Sequence, residues 1–173
     1  MKKIITIVYL VLNLFFVDTC ALTYTKIKIG DCTGTGHKYG YRCYDSFGGS
    51  LFVYKDVSDH YIITVSSPKN KRYVSGIAVF SSDGVLLESE GIKVIRINEI
   101  IEFFNKYSLK DFNKKFKNIH CDIGSGMYVP SYIVENATVL FLQGSGFKKG
   151  GNGIVTGIGY WDIIGKRDLQ IKF

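Results

Sequence analysis

The chain has 173 residues, 46% of them hydrophobic and 14% aromatic, and a formal net charge of +7. This is one domain's length rather than several. A chain of this size buries about 68% of its unfolded surface, which excludes a scaffold that must have disulfides to fold. The bases are scattered (Lys69, Lys71 and Arg72; Lys114, Lys115 and Lys117; Lys148 and Lys149; Lys166 and Arg167), which excludes a dense basic tail and reads first as a solvated surface.

The first 21 residues read as an address. Lys2 and Lys3 form a short basic region, Ile4 to Val17 is an apolar run broken only by Thr6 and Asn13, and Thr19 and Ala21 stand at the minus-three and minus-one positions of a cut after Ala21. This is the layout of a secretory signal peptide. The run is shorter than the about 20 apolar residues needed to span a bilayer, and no later segment qualifies. The expectation is a signal peptide over 1–21 and a single domain over 22–173, secreted or in the cell envelope, with no transmembrane segment in the mature chain. An alternative is a lipid-anchored envelope protein with Cys20 as the anchor, although Val17-Asp18-Thr19 poorly match the small and aliphatic residues such a signal carries.

Beyond the leader, Thr23 to Ile29 alternates weakly and predicts a first strand. Residues 30–50 are rich in glycine and tyrosine and predict a long loop or short irregular strands. Cys32 and Cys43 flank part of it and are the natural disulfide pair in an oxidising compartment, which leaves Cys121 odd. Leu51 to Tyr54, His60 to Val65 and Tyr73 to Phe80 are β-branched and aromatic runs. Ser82-Asp83-Gly84 predicts a hairpin returning through Val85 to Glu88, and Ile92 to Ile95 extends the sheet. The period then changes: Ile97, Ile100, Ile101, Phe104 and Tyr107 recur at helical spacing, as do Leu109, Phe112 and Phe116. Two short helices, about 98–107 and 109–117, are expected with a break near Ser108. Met127 to Val134 predicts a strand that Pro130 confines to an edge or bulge. Val139 to Gln143 returns after a turn at Glu135-Asn136, residues 144–153 predict a flexible loop, and Ile154 to Ile164 and Leu169 to Phe173 close the chain. The sum is an α+β domain: an antiparallel sheet with a pair of short helices packed on one face, mainly β over 22–96 and helix pair plus β-meander over 97–173.

Candidate chemistry is sparse. His120-Cys121-Asp122 followed by Gly124-Ser125-Gly126 invites a cysteine–histidine reading. Neighbouring residues of an extended chain point to opposite faces, however, so a dyad would need His37 or His60. The plainer reading is an exit from the second helix and a turn into the Met127 strand. Cys32, His37 and Cys43, with His120 or Cys121 as a fourth, carry zinc-type donors at spacings wider than structural zinc uses; no metal and no cofactor are expected. Ser66 to Lys69 fits S-x-x-K without its companion motifs, and the glycine loop at 144–153 lacks the Gly-Lys-Ser/Thr ending of a P-loop. Asn136-Ala137-Thr138 is a glycosylation sequon.

The stretch from Ile97 to Ile164 resembles the helix–helix–three-strand unit of small exported bacterial proteins, the β-lactamase-inhibitor-like proteins and the small outer-membrane assembly lipoproteins. Ile97 to Phe116, Met127 to Val134, Val139 to Gln143 and Ile154 to Ile164 carry the likeness. Where those families place Gly-x-Pro after the second helix, this chain reads Lys117-Asn118-Ile119, and residues 22–96 have no counterpart. The resemblance implies a non-catalytic domain that binds another protein through a sheet face. The reading is therefore an exported, non-enzymatic binding or interaction protein. Its partner would be another protein or an anionic cell-surface polymer, not nucleic acid, and its contacts would come from tyrosines, above all Tyr39, Tyr41, Tyr128 and Tyr132. Tyr44, Tyr160 and Trp161 are further candidates, Trp161 being assigned to the core. The rival from another class is a secreted hydrolase using Cys121 with a distant histidine.

Overall fold

The computed structural model describes residues 22–67, 70–106, 109–116, 120–122, 129–148, 152–165 and 167–172. Arg42–Phe47 (β1), Leu51–Lys55 (β2), Tyr61–Ser67 (β3), Asn70–Phe80 (β4) and Leu86–Glu90 (β5) form one antiparallel sheet in chain order. His120–Asp122 (β6), Val129–Val134 (β7), Thr138–Lys148 (β8), Asn152–Asp162 (β9) and Arg167–Lys172 (β10) form a second, also in chain order. Among the described residues the helices are Ile97–Lys106 (α1) and Leu109–Phe116 (α2), between the sheets in sequence, with a 3-10 helix at Thr35–Tyr39.

The apolar runs explain the layering. In β3 every residue from Tyr61 to Val65 is buried, so the strand is covered on both faces. Tyr61, Ile63 and Val65 join Leu51, Val53, Ala78 and Phe80 on one face of the first sheet and pack against Ile133, Ala137, Val139 and Ile163 of the second. Ile62, with Tyr54, Val74, Ile77 and Val79, faces away onto Ile27 and the partly buried Leu22, Tyr39 and Tyr41. In the second sheet Tyr132, Val134, Leu140, Leu142 and Ile158 face outward onto Ile95 and Ile100. The molecule is thus a sandwich of two sheets, each with its outer face covered, by the N-terminal segment on one side and by α1 on the other. Each fully buried aliphatic or aromatic side chain contributes about 1.5–3 kcal/mol, so all three clusters matter to stability.

This corrects the expected α+β domain. Among the described residues strand makes up 53% and helix 14%, and the sheets are two rather than one. Among the described residues the helical contribution to the core comes from α1, through buried Ile100 and partly buried Ile97, Ile101 and Phe103. Lys115 of α2 reaches Glu99 of α1 at 3.4 Å. The expectation failed because strands buried on both faces lose the two-residue alternation that marks a one-sided sheet, and nothing in such runs says how many sheets they make.

Other elements also depart from expectation. Thr23 to Ile29 buries Thr25 and Ile27 in alternation, as a strand would, yet it forms no ladder. Its amides go to side chains instead: Thr23 and Tyr24 to Glu88, Lys26 to the Tyr41 hydroxyl, Ile27 to Thr25 and Lys28 to Asp31. Past it, Gly30 and Thr33 donate to Val74 and Arg72, and Val74 donates to Asp31. The segment thereby continues the edge of β4 beyond the reach of β5, which pairs only with Ile77 to Phe80. Ile95 bridges Val134 of the second sheet rather than extending the first. His120 to Asp122 is a short strand on β7, not a helix exit; residues 123–128, with the Gly-Ser-Gly turn, lie outside the described residues. Pro130 sits opposite Cys121 in a strand paired on both sides. It is tolerated there because the β7–β8 register begins only at Ser131, so its missing N–H falls at the end of the ladder. The glycine stretch 144–153 is not all loop: β8 runs into it as far as Lys148 and β9 starts at Asn152, with register shifts after Gln143 and Ser145; residues 149–151 lie outside the described residues.

Candidate functional site

β1 is an edge strand with a bulge. Its register on β2 runs Cys43↔Tyr54 and then Asp45↔Val53, leaving Tyr44 as the extra residue. A bulge bends the strand and re-aims a side chain. Here it sends the Tyr44 hydroxyl across to the second sheet, where it donates to the Ile163 carbonyl at 3.4 Å. The Asp45 carboxylate turns back to accept the Ser46 amide at 2.6 Å, which caps one edge donor and blunts strand addition there.

The bulge opens a cavity of about 320 Å³ lined by Arg42, Cys43, Tyr44, Asp45 and Trp161. Trp161 comes from β9, an inner strand of the second sheet, so the site lies where the β1 edge of the first sheet meets the second. Aromatic contacts fix the rings. Trp161 stands 5.1 Å from Phe47 and 6.3 Å from Tyr44 between centroids, and Tyr44 meets Tyr61 edge-on at 5.6 Å. Lys55 caps the row, its ammonium 4.9 Å from the Tyr61 ring centre. The cavity therefore has two half-buried aromatic walls, an exposed guanidinium, a carboxylate and the Cys43 thiol, which points to the Asp45 carbonyl at 3.7 Å. Aromatic walls with a few placed polar groups recognise ligands by shape and orientation.

The residues singled out by sequence are dispersed. Tyr39 and Tyr41 are half-buried against the outer cluster of the first sheet. The Tyr39 hydroxyl donates to Asp31 at 3.4 Å, and the Tyr41 hydroxyl accepts from the Lys26 amide at 2.9 Å. Both tie the N-terminal segment down. Partial burial and then the Asp31 charge hold the Tyr39 phenol above its ordinary value. Tyr132 is not a surface contact: it is 1% exposed, inside the cluster under α1, because its place in β7 turns it away from the facing sheet. Tyr128 lies outside the described residues. Cys32 and Cys43 carry free thiols, so the bridge expected between them is not formed; Cys32 is drawn into a backbone bridge with Tyr73 of β4, while Cys43 pairs with Tyr54 of β2.

His37 is exposed with its ring edge-on to Tyr54 at 6.0 Å. His60 is held by Asp56, Nδ1 to Oδ2 at 2.9 Å, in the β2–β3 turn. Among the described residues no three His, Cys, Asp or Glu side chains converge as metal ligands. Arg42 and Asp45 went unnoticed in the sequence because only the bulge and the arrival of Trp161, over a hundred residues on, make them a site.

Fold and site together define an antiparallel β-sandwich domain with an aromatic-walled surface cavity at one sheet edge. No protein-family model, no curated protein and no solved structure matches the chain. No helix among the described residues is long and apolar enough to cross a membrane.

Proposed function

We propose that this chain is an exported, non-enzymatic binding protein that receives a side chain of a partner protein in the cavity at the β1 bulge. The observation that carries the reading is the meeting of Tyr44 and Trp161 with Arg42 and Asp45 around an open space of about 320 Å³. That space suits one large side chain, with the guanidinium and carboxylate on hand for its polar neighbours. The net charge of +7, or +6 once residues 1–21 are removed, favours an acidic partner surface by long-range attraction. Export is supported by the pattern of residues 1–21. The hydrolase reading gains no support from His37 or His60, since His60 is engaged by Asp56 in a turn and His37 packs on Tyr54.

Trp161 is the only tryptophan, so its emission reports on the site directly. With the partner recovered by the secreted protein, titration should shift that emission. Arg42→Glu should weaken the complex at least about tenfold, a loss of about 1.4 kcal/mol, without lowering the melting temperature. Unchanged emission together with undiminished affinity in Arg42→Glu would remove the cavity from the binding surface.

A further inference from the structure

Glu88 of β5 grips the start of the domain. Its Oε2 accepts the Thr23 amide and its Oε1 the Tyr24 amide, each at 2.7 Å, the short distance of charge-assisted hydrogen bonds. The ion pairs found among the described residues are Lys55–Asp59, His60–Asp56 and Lys115–Glu99, so the Glu88 carboxylate faces two neutral amides and no described cation. These amides lie in the segment that crosses the outer face of the first sheet without a ladder, and they follow directly on the cut expected after Ala21. One residue of chain spans at most about 3.6 Å, which brings the nitrogen of Leu22 within roughly 6 Å of the carboxylate, a range over which opposite charges favour each other.

We propose that Glu88 is the seat of the mature N-terminus. Hydrolysis of the Ala21–Leu22 bond by an export peptidase consumes one water, leaves a carboxylate on Ala21 and frees an α-amino group on Leu22. That group takes a proton to become an ammonium at neutral pH, its ordinary pKa being about 7.7–8.0. Before the cut the same nitrogen is an uncharged amide. Processing therefore adds a cation beside a carboxylate already aimed at the first two amides of the domain. The pair fastens the segment carrying Leu22, Thr25 and Ile27 over Tyr54, Ile62, Ile77 and Val79. Removal of the leader and completion of the outer layer become one event. The inference rests on the export reading and is independent of the cavity.

The exported protein, purified from the medium or envelope of an exporting host, is tested in two arms. Its intact mass should place Leu22 first; a chain starting at Met1 would overturn both export and this inference, and a lipidated Cys20 or any other start would overturn this inference alone. The second arm acetylates the α-amine selectively in wild type and in Glu88→Gln. Acetylation should lower the wild-type melting temperature by about 2–4 °C and leave Glu88→Gln unmoved. An equal drop in both proteins, or none in wild type, would show that the terminus does not act through Glu88. Should Glu88→Gln fail to fold, amide exchange decides in wild type: acetylation should speed exchange at Thr23 and Tyr24, and unaltered exchange overturns the pair.

Discussion

Tyr54 carries its hydroxyl into the layer between the first sheet and the N-terminal segment, where no hydrogen bond of good geometry satisfies it. A buried polar group left unpaired costs about 1–3 kcal/mol. Tyr54→Phe is therefore predicted to gain about 1 kcal/mol, read as a higher urea midpoint at unchanged slope. Burial raises the phenol above its ordinary value, with the Gly36 amide pulling the other way. The folded state thus prefers the protonated phenol. The associated stability is whole below the unfolded value, about pH 10, and is lost as pH rises through the higher folded value. Alkaline titration of the melting temperature should show that limb in wild type and a shallower one in Tyr54→Phe. Gly36 lies so close that a Cβ there would come within 2.5 Å of the Tyr54 ring. Gly36→Ala should cost about 1–3 kcal/mol through that overlap, again by urea denaturation.

At the level of elements, short turns hold the strands in register. Asp56 accepts the amides of Ser58 and His60 at 2.8 Å each, besides the His60 ring. Asp56→Ala should destabilise by about 1–2 kcal/mol, the scale of a lost charged hydrogen bond, and chemical denaturation checks it. Ile100 is the buried anchor of α1 on the second sheet; Ile100→Ala should cost about 2–5 kcal/mol. Much of this level was legible in the sequence. The runs at Leu51, Tyr61 and Tyr73 are β-branched and aromatic, and they form β2, β3 and β4. Asp83-Gly84 makes its hairpin, with Gly84 at φ 86° and the Ser81 hydroxyl on the Asp83 carboxylate, a contact that holds Asp83 below its ordinary value. What could not be read is which face meets what. Tyr61 to Val65 is buried throughout because both sides are covered, so no period points to a second sheet. Pro130 is buried in a paired strand because of where the ladder begins, a matter of register. The site was legible only as residue types: Tyr44 and Trp161 stood out as aromatics, whereas the bulge that joins them depends on how β1 sits on β2.

For the whole molecule, the facing sheets converge on Trp161, half-buried against the shared core and the only tryptophan. Its emission should fall to the exposed, red-shifted value in the same denaturant range in which far-UV dichroism loses the strands. Separate midpoints would mean that the two sheets come apart before either melts. Every strand of either sheet pairs with its neighbours in the chain, so the ladders within each sheet close only short loops. Non-adjacent parts of the chain meet chiefly where one meander lies on the other. Such a protein gathers each half rapidly, and the search left over is the mating of two preformed surfaces. Substitutions at Val139 or Ile133, in that seam, should therefore speed unfolding far more than they slow the first collapse.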